Sequence, residues 1–131
     1  MSISSASEAA SRLLDRFLTA YGGSDFETLV DCYEEDAVYM PAGRPALRGR
    51  QEILEHQRTV IAELSPEWRV QPEETLEAGN LVIQRGRYFV RLSPDGGEAT
   101  NAVGKYLIVL RRQPDGSLKL LWDMDNDDGT T

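Results

Sequence analysis

The chain has one cysteine and one histidine among its 131 residues. A lone Cys32 excludes an internal disulfide, and a reducing, cytoplasmic setting is the default expectation. A lone His56, with no second histidine or cysteine near it in sequence, gives little support for a metal site, and none is expected. Long apolar runs are missing as well. Nothing approaches the roughly 18 consecutive apolar residues of a spanning helix. Met1-Ser2-Ile3-Ser4-Ser5 carries neither a basic region nor an apolar segment, so no signal peptide is expected. Basic charge is scarce: 14 Lys and Arg against 22 Asp and Glu leave a formal charge of −8. That balance argues against nucleic acid and against an anionic membrane surface as partners. There is no glycine-rich phosphate loop and no Gly-x-Ser-x-Gly elbow, and no cofactor is implied.

What remains is an ordinary globular composition, 40% apolar and 27% charged. It suits one domain over residues 1–131 with a real core, ordered over about 5–126. Residues 5–21 read as an amphipathic helix, because Ala6, Ala10, Leu13, Leu14, Phe17, Leu18 and Tyr21 recur at the helical period. Ser5 with Glu8 forms a capping box, and Gly22-Gly23 stops the helix. Ser24 with Glu27 opens a second, shorter helix with Phe26, Leu29, Val30 and Tyr33 as its stripe. Asp36–Met40 is a short strand ended by Pro41. A loop from Ala42 to Gly49 carries Arg44 and Arg48. A third helix spans 50–64 and stops before Pro66. Strands follow near 67–78, 80–93, 98–112 and 118–126. The residues after them, Asp127 to Thr131, read as a frayed tail. Helices first and a meander after them indicate an α+β domain.

Two Pro-Asp-Gly turns set the strand register. Proline fixes φ at the first turn position and glycine takes the left-handed third, which closes a three-residue hairpin loop with a bulge. Around Pro114-Asp115-Gly116, Gln113 faces Ser117, Lys105 faces Asp125, Leu107 faces Asp123 and Val109 faces Leu121. Around Pro94-Asp95-Gly96, Ser93 faces Gly97 and Arg85 faces Lys105. One face then gathers Arg85, Lys105, Asp123 and Asp125 at one end of an apolar field. The other carries Tyr106, Ile108, Trp122 and Met124. A further bulge in any strand would swap the faces beyond it.

Ser24-Asp25-Phe26-Glu27-Thr28-Leu29-Val30, then Cys32-Tyr33-Glu34-Glu35-Asp36-Ala37-Val38-Tyr39-Met40-Pro41, a loop, and Leu47-Arg48-Gly49-Arg50 before a helix resemble the nuclear-transport-factor-2-like (cystatin-like) superfamily. The likeness is to its SnoaL-like group, with ketosteroid isomerase as a relative. Gly104-Lys105-Tyr106, Pro114-Asp115-Gly116 and Trp122-Asp123-Met124 resemble the ending of uncharacterised members of that group. The resemblance covers about residues 5 to 126. It implies a cone-shaped fold, with a curved antiparallel sheet packed on N-terminal helices, and a pocket in the open end. It also implies a homodimer, here through the outer face of Tyr106, Ile108, Trp122 and Met124. The ketosteroid isomerase set of a Tyr, an Asp base and a second Asp falls on Phe17, Pro41 and Lys105, which rules out that machinery.

The site expected from these readings has Asp125 and Asp123 as acid–base residues. Lys105 and Arg85 hold a ligand oxygen, and Phe17, Tyr39 and Met40 form apolar wall. Asp123-x-Asp125-x-Asp127-Asp128 is no calcium loop, since the sixth position has Asp128 where such a loop needs glycine. His56 reads as a boundary residue, and Arg44, Arg48 and Arg50 as a solvated cluster near the mouth. Three functions stay open: an acid–base enzyme of isomerase, cyclase or hydrolase type on a small molecule, a non-catalytic ligand binder, and a dimeric association module.

Overall fold

The computed structural model describes residues 2–129, with side chains from residue 5. Thr130 and Thr131, part of the expected tail, lie outside the described residues. Helix α1 spans Ser2–Gly22, α2 Phe26–Asp31 and α3 Gly49–Leu64. The strands are β1 Tyr33–Met40, β2 Leu47–Arg48, β3 Glu67–Ala78, β4 Leu81–Leu92, β5 Thr100–Arg112 and β6 Leu118–Asp127. They form one six-stranded sheet in the order β2-β1-β6-β5-β4-β3. The sheet is mixed, not wholly antiparallel, because β1 runs parallel to β6. The helices pack against one face of it, which makes this the α+β nuclear-transport-factor-2-like fold.

Two capping expectations fail. Ser5 lies inside α1, which already begins at Ser2. Asp25 caps α2 in place of Ser24: its carboxylate accepts from the Thr28 N–H at 3.2 Å, while Ser24 takes a left-handed φ of 53°. Tyr33 leaves the α2 stripe and opens β1, fully buried. The core itself follows the expected period. Ala6, Ala10, Leu13, Leu14 and Tyr21 of α1 are buried against Val82, Ile108, Leu110 and Leu120 of the sheet and against Leu29 and Ile53. At the closed end, the Asp31 carboxylate accepts from Arg16 at 3.0 Å and from Lys119 at 3.2 Å, which ties α1 and β6 to α2. Arg50 donates twice to the Tyr33 carbonyl, at 2.9 and 2.6 Å, and so belongs to this end of the fold, not to the loop cluster.

The faces of the sheet differ from the sequence expectation for two reasons. First, α1 covers the Tyr106 and Ile108 face, so the field expected to lie outside is the inner one. Second, the last hairpin begins as expected, with the Gln113 N–H donating to the Ser117 carbonyl at 2.7 Å and Leu110 opposite Leu120. It then slips by one residue, since Val109 faces Trp122 and Leu121 is left unpaired. Beyond this bulge every side chain of β6 changes face. The β4–β5 hairpin also shifts, by two residues, so that Arg85 faces Leu107 and Lys105 faces Arg87. Its loop is longer than the turn alone requires, because the Ser93 N–H bonds to the Leu64 carbonyl at 2.7 Å. A shift of two keeps each side chain on its own face.

Two glycines let the inner face close. Gly86 lies opposite Tyr106, and Gly104 lies opposite Tyr88. Each tyrosine ring lies across the glycine on its neighbouring strand. A Cβ on Gly86 would sit 2.8 Å from the Tyr106 hydroxyl and 2.9 Å from Pro72 Cα. A Cβ on Gly104 would run into the Asn126 carbonyl oxygen and the Tyr88 ring. Gly104→Ala is therefore expected to destabilise the chain by about 1–3 kcal/mol, as overpacking against backbone does. Urea unfolding measures it, and a midpoint equal to the parent's would refute the close approach.

Candidate active site

The inward faces of α1, α3 and the sheet leave a cavity of about 70 Å³. The α1 side is Leu14, Phe17, Leu18 and Tyr21, and Gln57 comes from α3. Trp68 and Val70 come from the edge strand β3, Tyr88 from β4, Tyr106 and Ile108 from β5, Tyr39 from β1, and Asp123 and Asp125 from β6. Aromatic rings meet edge to face around it, Phe17 with Tyr33 at 5.8 Å and Trp68 with Tyr88 at 5.0 Å between centroids. Such contacts fix ring orientation as well as burying area.

Each aspartate has its own phenol. The Tyr33 hydroxyl donates to Asp123 Oδ2 at 3.0 Å, and the Tyr39 hydroxyl donates to Asp125 Oδ2 at 3.0 Å. The Ala42 N–H reaches Asp125 Oδ1 at 3.4 Å. Parallel pairing brings these groups together, since Tyr39 lies beside Asp123 in the β1–β6 ladder. Burial pushes the Asp123 carboxyl up to about 7 and the neighbouring Asp125 charge adds to it, while the Tyr33 hydrogen bond pulls the other way. Burial also raises Asp125, against the hydrogen bonds from Tyr39 and Ala42. Both phenols are held well above their ordinary value, chiefly by burial and then by the Asp123 charge, and so remain protonated donors.

The expected site residues divide between the two faces. Asp123, Asp125, Phe17 and Tyr39 line the cavity. Lys105, Arg85 and Met40 do not. Lys105 and Arg85 lie on the outer face, where Lys105 pairs with Asp128 at 3.3 Å and Arg85 with Glu73 and Glu74 at 3.2 and 3.0 Å. Met40 sits beside Met124, which is on that face too. Tyr106 and Ile108, expected outside, are buried within, whereas Trp122 and Met124 are exposed at 52% and 41%. The cause is the pair of changes described above. Inverting the faces moves Lys105 and Arg85 out, and the Leu121 bulge returns Asp123 and Asp125 to the inside. His56 packs edge to face on Tyr39 at 5.6 Å, with Arg44 Nη1 3.3 Å from its Nδ1; burial, then Arg44, lowers its proton affinity.

Tyr21, Tyr33, Gln57, Trp68 and Tyr88 were not anticipated at the site. A signal for one of them was present. Gly86-Arg87-Tyr88 and Gly104-Lys105-Tyr106 repeat one pattern on adjacent strands, and antiparallel pairing sets each glycine under the other strand's ring.

The described fold matches solved structures across nearly its whole length. A ketosteroid isomerase-like protein from Erwinia carotovora atroseptica SCRI1043 superposes with a TM-score of 0.82 at 21% identity, over 92% of this chain and 94% of that one. A conserved protein from Planctomyces limnophilus DSM 3776 gives 0.85 at 21% identity over 92% and 94%. A nuclear transport factor 2-like superfamily protein from Salmonella enterica serovar Typhimurium LT2 gives 0.82 at 16% identity over 100% and 96%. At these identities the likeness is one of fold. The chain belongs to the SnoaL-like domain family, whose sequence profile matches residues 14–119. No curated protein matches it. No helix among the described residues is long and apolar enough to cross a membrane.

The buried acid makes a stability prediction. Asp123 takes its proton at about 7 in the folded chain and near 3.8 when unfolded. Between those values the folded state holds more protons, so stability falls as pH rises and levels off above pH 7. Asp123→Asn keeps an acceptor for Tyr33 and carries no charge. It should match the parent near pH 4 and exceed it increasingly up to pH 7, by at most about 4 kcal/mol. Urea unfolding across that range measures the difference. A difference independent of pH would contradict the burial of this carboxyl.

Proposed function

We propose that the cavity binds a small, neutral, flat organic molecule bearing oxygen, and that Asp125 and Asp123 act on it as an acid–base pair. The observation that carries this reading is two carboxyl groups on one strand, each held by a tyrosine hydroxyl, in an aromatic cavity whose lining includes no lysine or arginine among the described residues. Such sites push carboxyl proton affinities apart and so assign an acid and a base. Asp123, the more strongly displaced, holds its proton and donates. Asp125, braced by the Ala42 N–H, carries the charge and accepts. Membership of the SnoaL-like family, and the likeness to a ketosteroid isomerase-like protein, support chemistry of isomerase, cyclase or hydrolase type. Phe17, Pro41 and Lys105 argue that the ketosteroid isomerase residues themselves are not the means.

Native mass spectrometry of the purified chain is expected to reveal a retained small molecule. With that molecule as substrate, Asp125→Asn should lower turnover by about 10²–10⁴ while binding persists. Full turnover by both Asp125→Asn and Asp123→Asn would leave the non-catalytic binder as the better reading.

The outer sheet face supports a homodimer through the expected Trp122 and Met124, with Leu76 and Leu107 in place of the buried Tyr106 and Ile108. Leu76, Ile83, Val109 and Trp122 lie in one row across four strands, with Leu107, Met124 and Met40 in the next. Leu76, Leu107, Trp122 and Met124 are exposed large apolar side chains, and a contiguous patch of them is unusual on a monomer. A second copy of the chain covering this face satisfies both halves in an isologous contact. Light scattering should give about twice 14.6 kDa, and Trp122→Glu should return the single-chain mass. A monomer for the parent at micromolar concentration would count against this interface. A cytoplasmic location accords with the single buried Cys32.

A further inference from the structure

We infer that the hydroxyls of Tyr21 and Tyr88 are the hydrogen-bond donors to the ligand, and that together they select a neutral acceptor oxygen such as a ketone carbonyl. The inference rests on the reading of the cavity as the ligand site.

Five tyrosines bear on the cavity, and three of them have already spent their protons. Tyr33 donates to Asp123, Tyr39 to Asp125, and Tyr106 to Gln84 Oε1 at 2.9 Å. Tyr21 and Tyr88 line the cavity at 4% and 5% exposure, and neither hydroxyl donates to an acceptor among the described residues. Both side chains line the cavity, so an entering acceptor oxygen can take these protons.

Both rings are held in place. Trp68 stands between them, 6.4 Å from Tyr21 and 5.0 Å from Tyr88 between centroids. Tyr21 also packs on Phe17 at 6.0 Å, one helical turn earlier on α1, and Tyr88 is fixed across Gly104. Fixed donors of this kind need no reorganisation when a ligand binds. Both hydroxyls feel the charge of Asp125, which raises their proton affinity beyond the effect of burial. Tyr21, Tyr88 and Asp125 line one cavity, so an oxygen held by the two hydroxyls shares it with the proposed base. The same charge sets the ligand's own charge. With the cations Lys105 and Arg85 on the outer face, a carboxylate entering the cavity would meet Asp125 unpaired, whereas a ketone oxygen would meet two donors.

The test uses acetophenone, ethylbenzene and benzoate, which share a ring and differ in the oxygen. Ligand-observed NMR titration should show acetophenone binding about tenfold tighter than ethylbenzene and benzoate not binding, as one or two hydrogen bonds imply. Tyr21→Phe and Tyr88→Phe should each weaken acetophenone by about 3- to 10-fold and leave ethylbenzene unchanged. Tyr88→Phe should melt no lower than the parent, because its hydroxyl has no hydrogen-bond partner among the described residues to lose. Leu18→Trp, which fills the cavity, should abolish binding of both neutral probes. Equal affinity for acetophenone and ethylbenzene, no acetophenone binding, or measurable benzoate binding overturns the inference. So do phenylalanine variants that bind acetophenone like the parent, or a Tyr88→Phe variant that melts lower. If Leu18→Trp abolishes acetophenone binding while the phenylalanine variants keep it, the donor assignment alone fails. If Leu18→Trp leaves acetophenone binding intact, the reading of the cavity fails with it.

Discussion

The unpaired Leu121 decides where the charges of this protein lie. Up to Leu120 the last strand presents Leu118 and Leu120 inward, as the turn before it dictates. One extra residue then rotates the rest of the strand by half a repeat. Without it, Trp122 and Met124 would fill the cavity and two carboxylates would face solvent beside Lys105. With it, the acids enter an aromatic enclosure and the large apolar side chains go outside. Site and outer patch are thus two consequences of one irregularity.

Burying two acids without a cation is costly, and the surrounding elements reduce that cost in specific ways. The parallel β1–β6 pair brings Tyr33 and Tyr39 to the carboxyls, so each has a donor that cannot itself ionise in that setting. The loop after β1 adds the Ala42 N–H to Asp125 alone. That asymmetry separates two chemically identical groups, because hydrogen bonds to the charged form favour ionisation where burial opposes it. The parallel ladder, which a reading by hairpins does not anticipate, is therefore what supplies the donors.

The helices, five of the six strands and the SnoaL-like order of elements were legible in the sequence, since helical-period stripes, Gly-Gly, Pro41, Pro66 and the Pro-Asp-Gly turns are local signals; the two-residue β2 lay within the expected loop, and β1 begins at Tyr33, three residues before the expected strand. Faces were less so. The Pro114-Asp115-Gly116 turn set the first pairs correctly, but nothing local in Leu120-Leu121-Trp122 announces a bulge, because three consecutive apolar residues fit either face. The inside of the sheet was also ambiguous. Tyr106 and Ile108 on one face and Leu107 and Val109 on the other are about equally apolar, and α1 alone decides between them. Asp123 and Asp125 came to the cavity through two departures from the expected geometry that offset each other, while Lys105 and Arg85, subject to only one, did not. Tyr21 fits a core stripe in sequence, and its hydroxyl gains meaning only once the fold sets that side chain on the cavity wall.

The Gly-x-Tyr repeat connects stability to the site. A sheet that wraps around a helix must bend, and a large ring placed over a glycine lets the strands curve inward without leaving a void. Here the rings that fill those positions are Tyr88 and Tyr106, and their polar ends differ in use. The Tyr106 hydroxyl is spent on Gln84, which in turn donates to Thr75 at 3.1 Å, so this ring closes a structural chain across three strands. Tyr88 occupies the reciprocal position with no such chain, and it lines the cavity that Asp125 also lines. Two copies of one folding device thus end differently: one is consumed in holding the sheet, and the other leaves a polar side chain on the cavity wall. The constraint that shapes the cone is also the one that equips its interior.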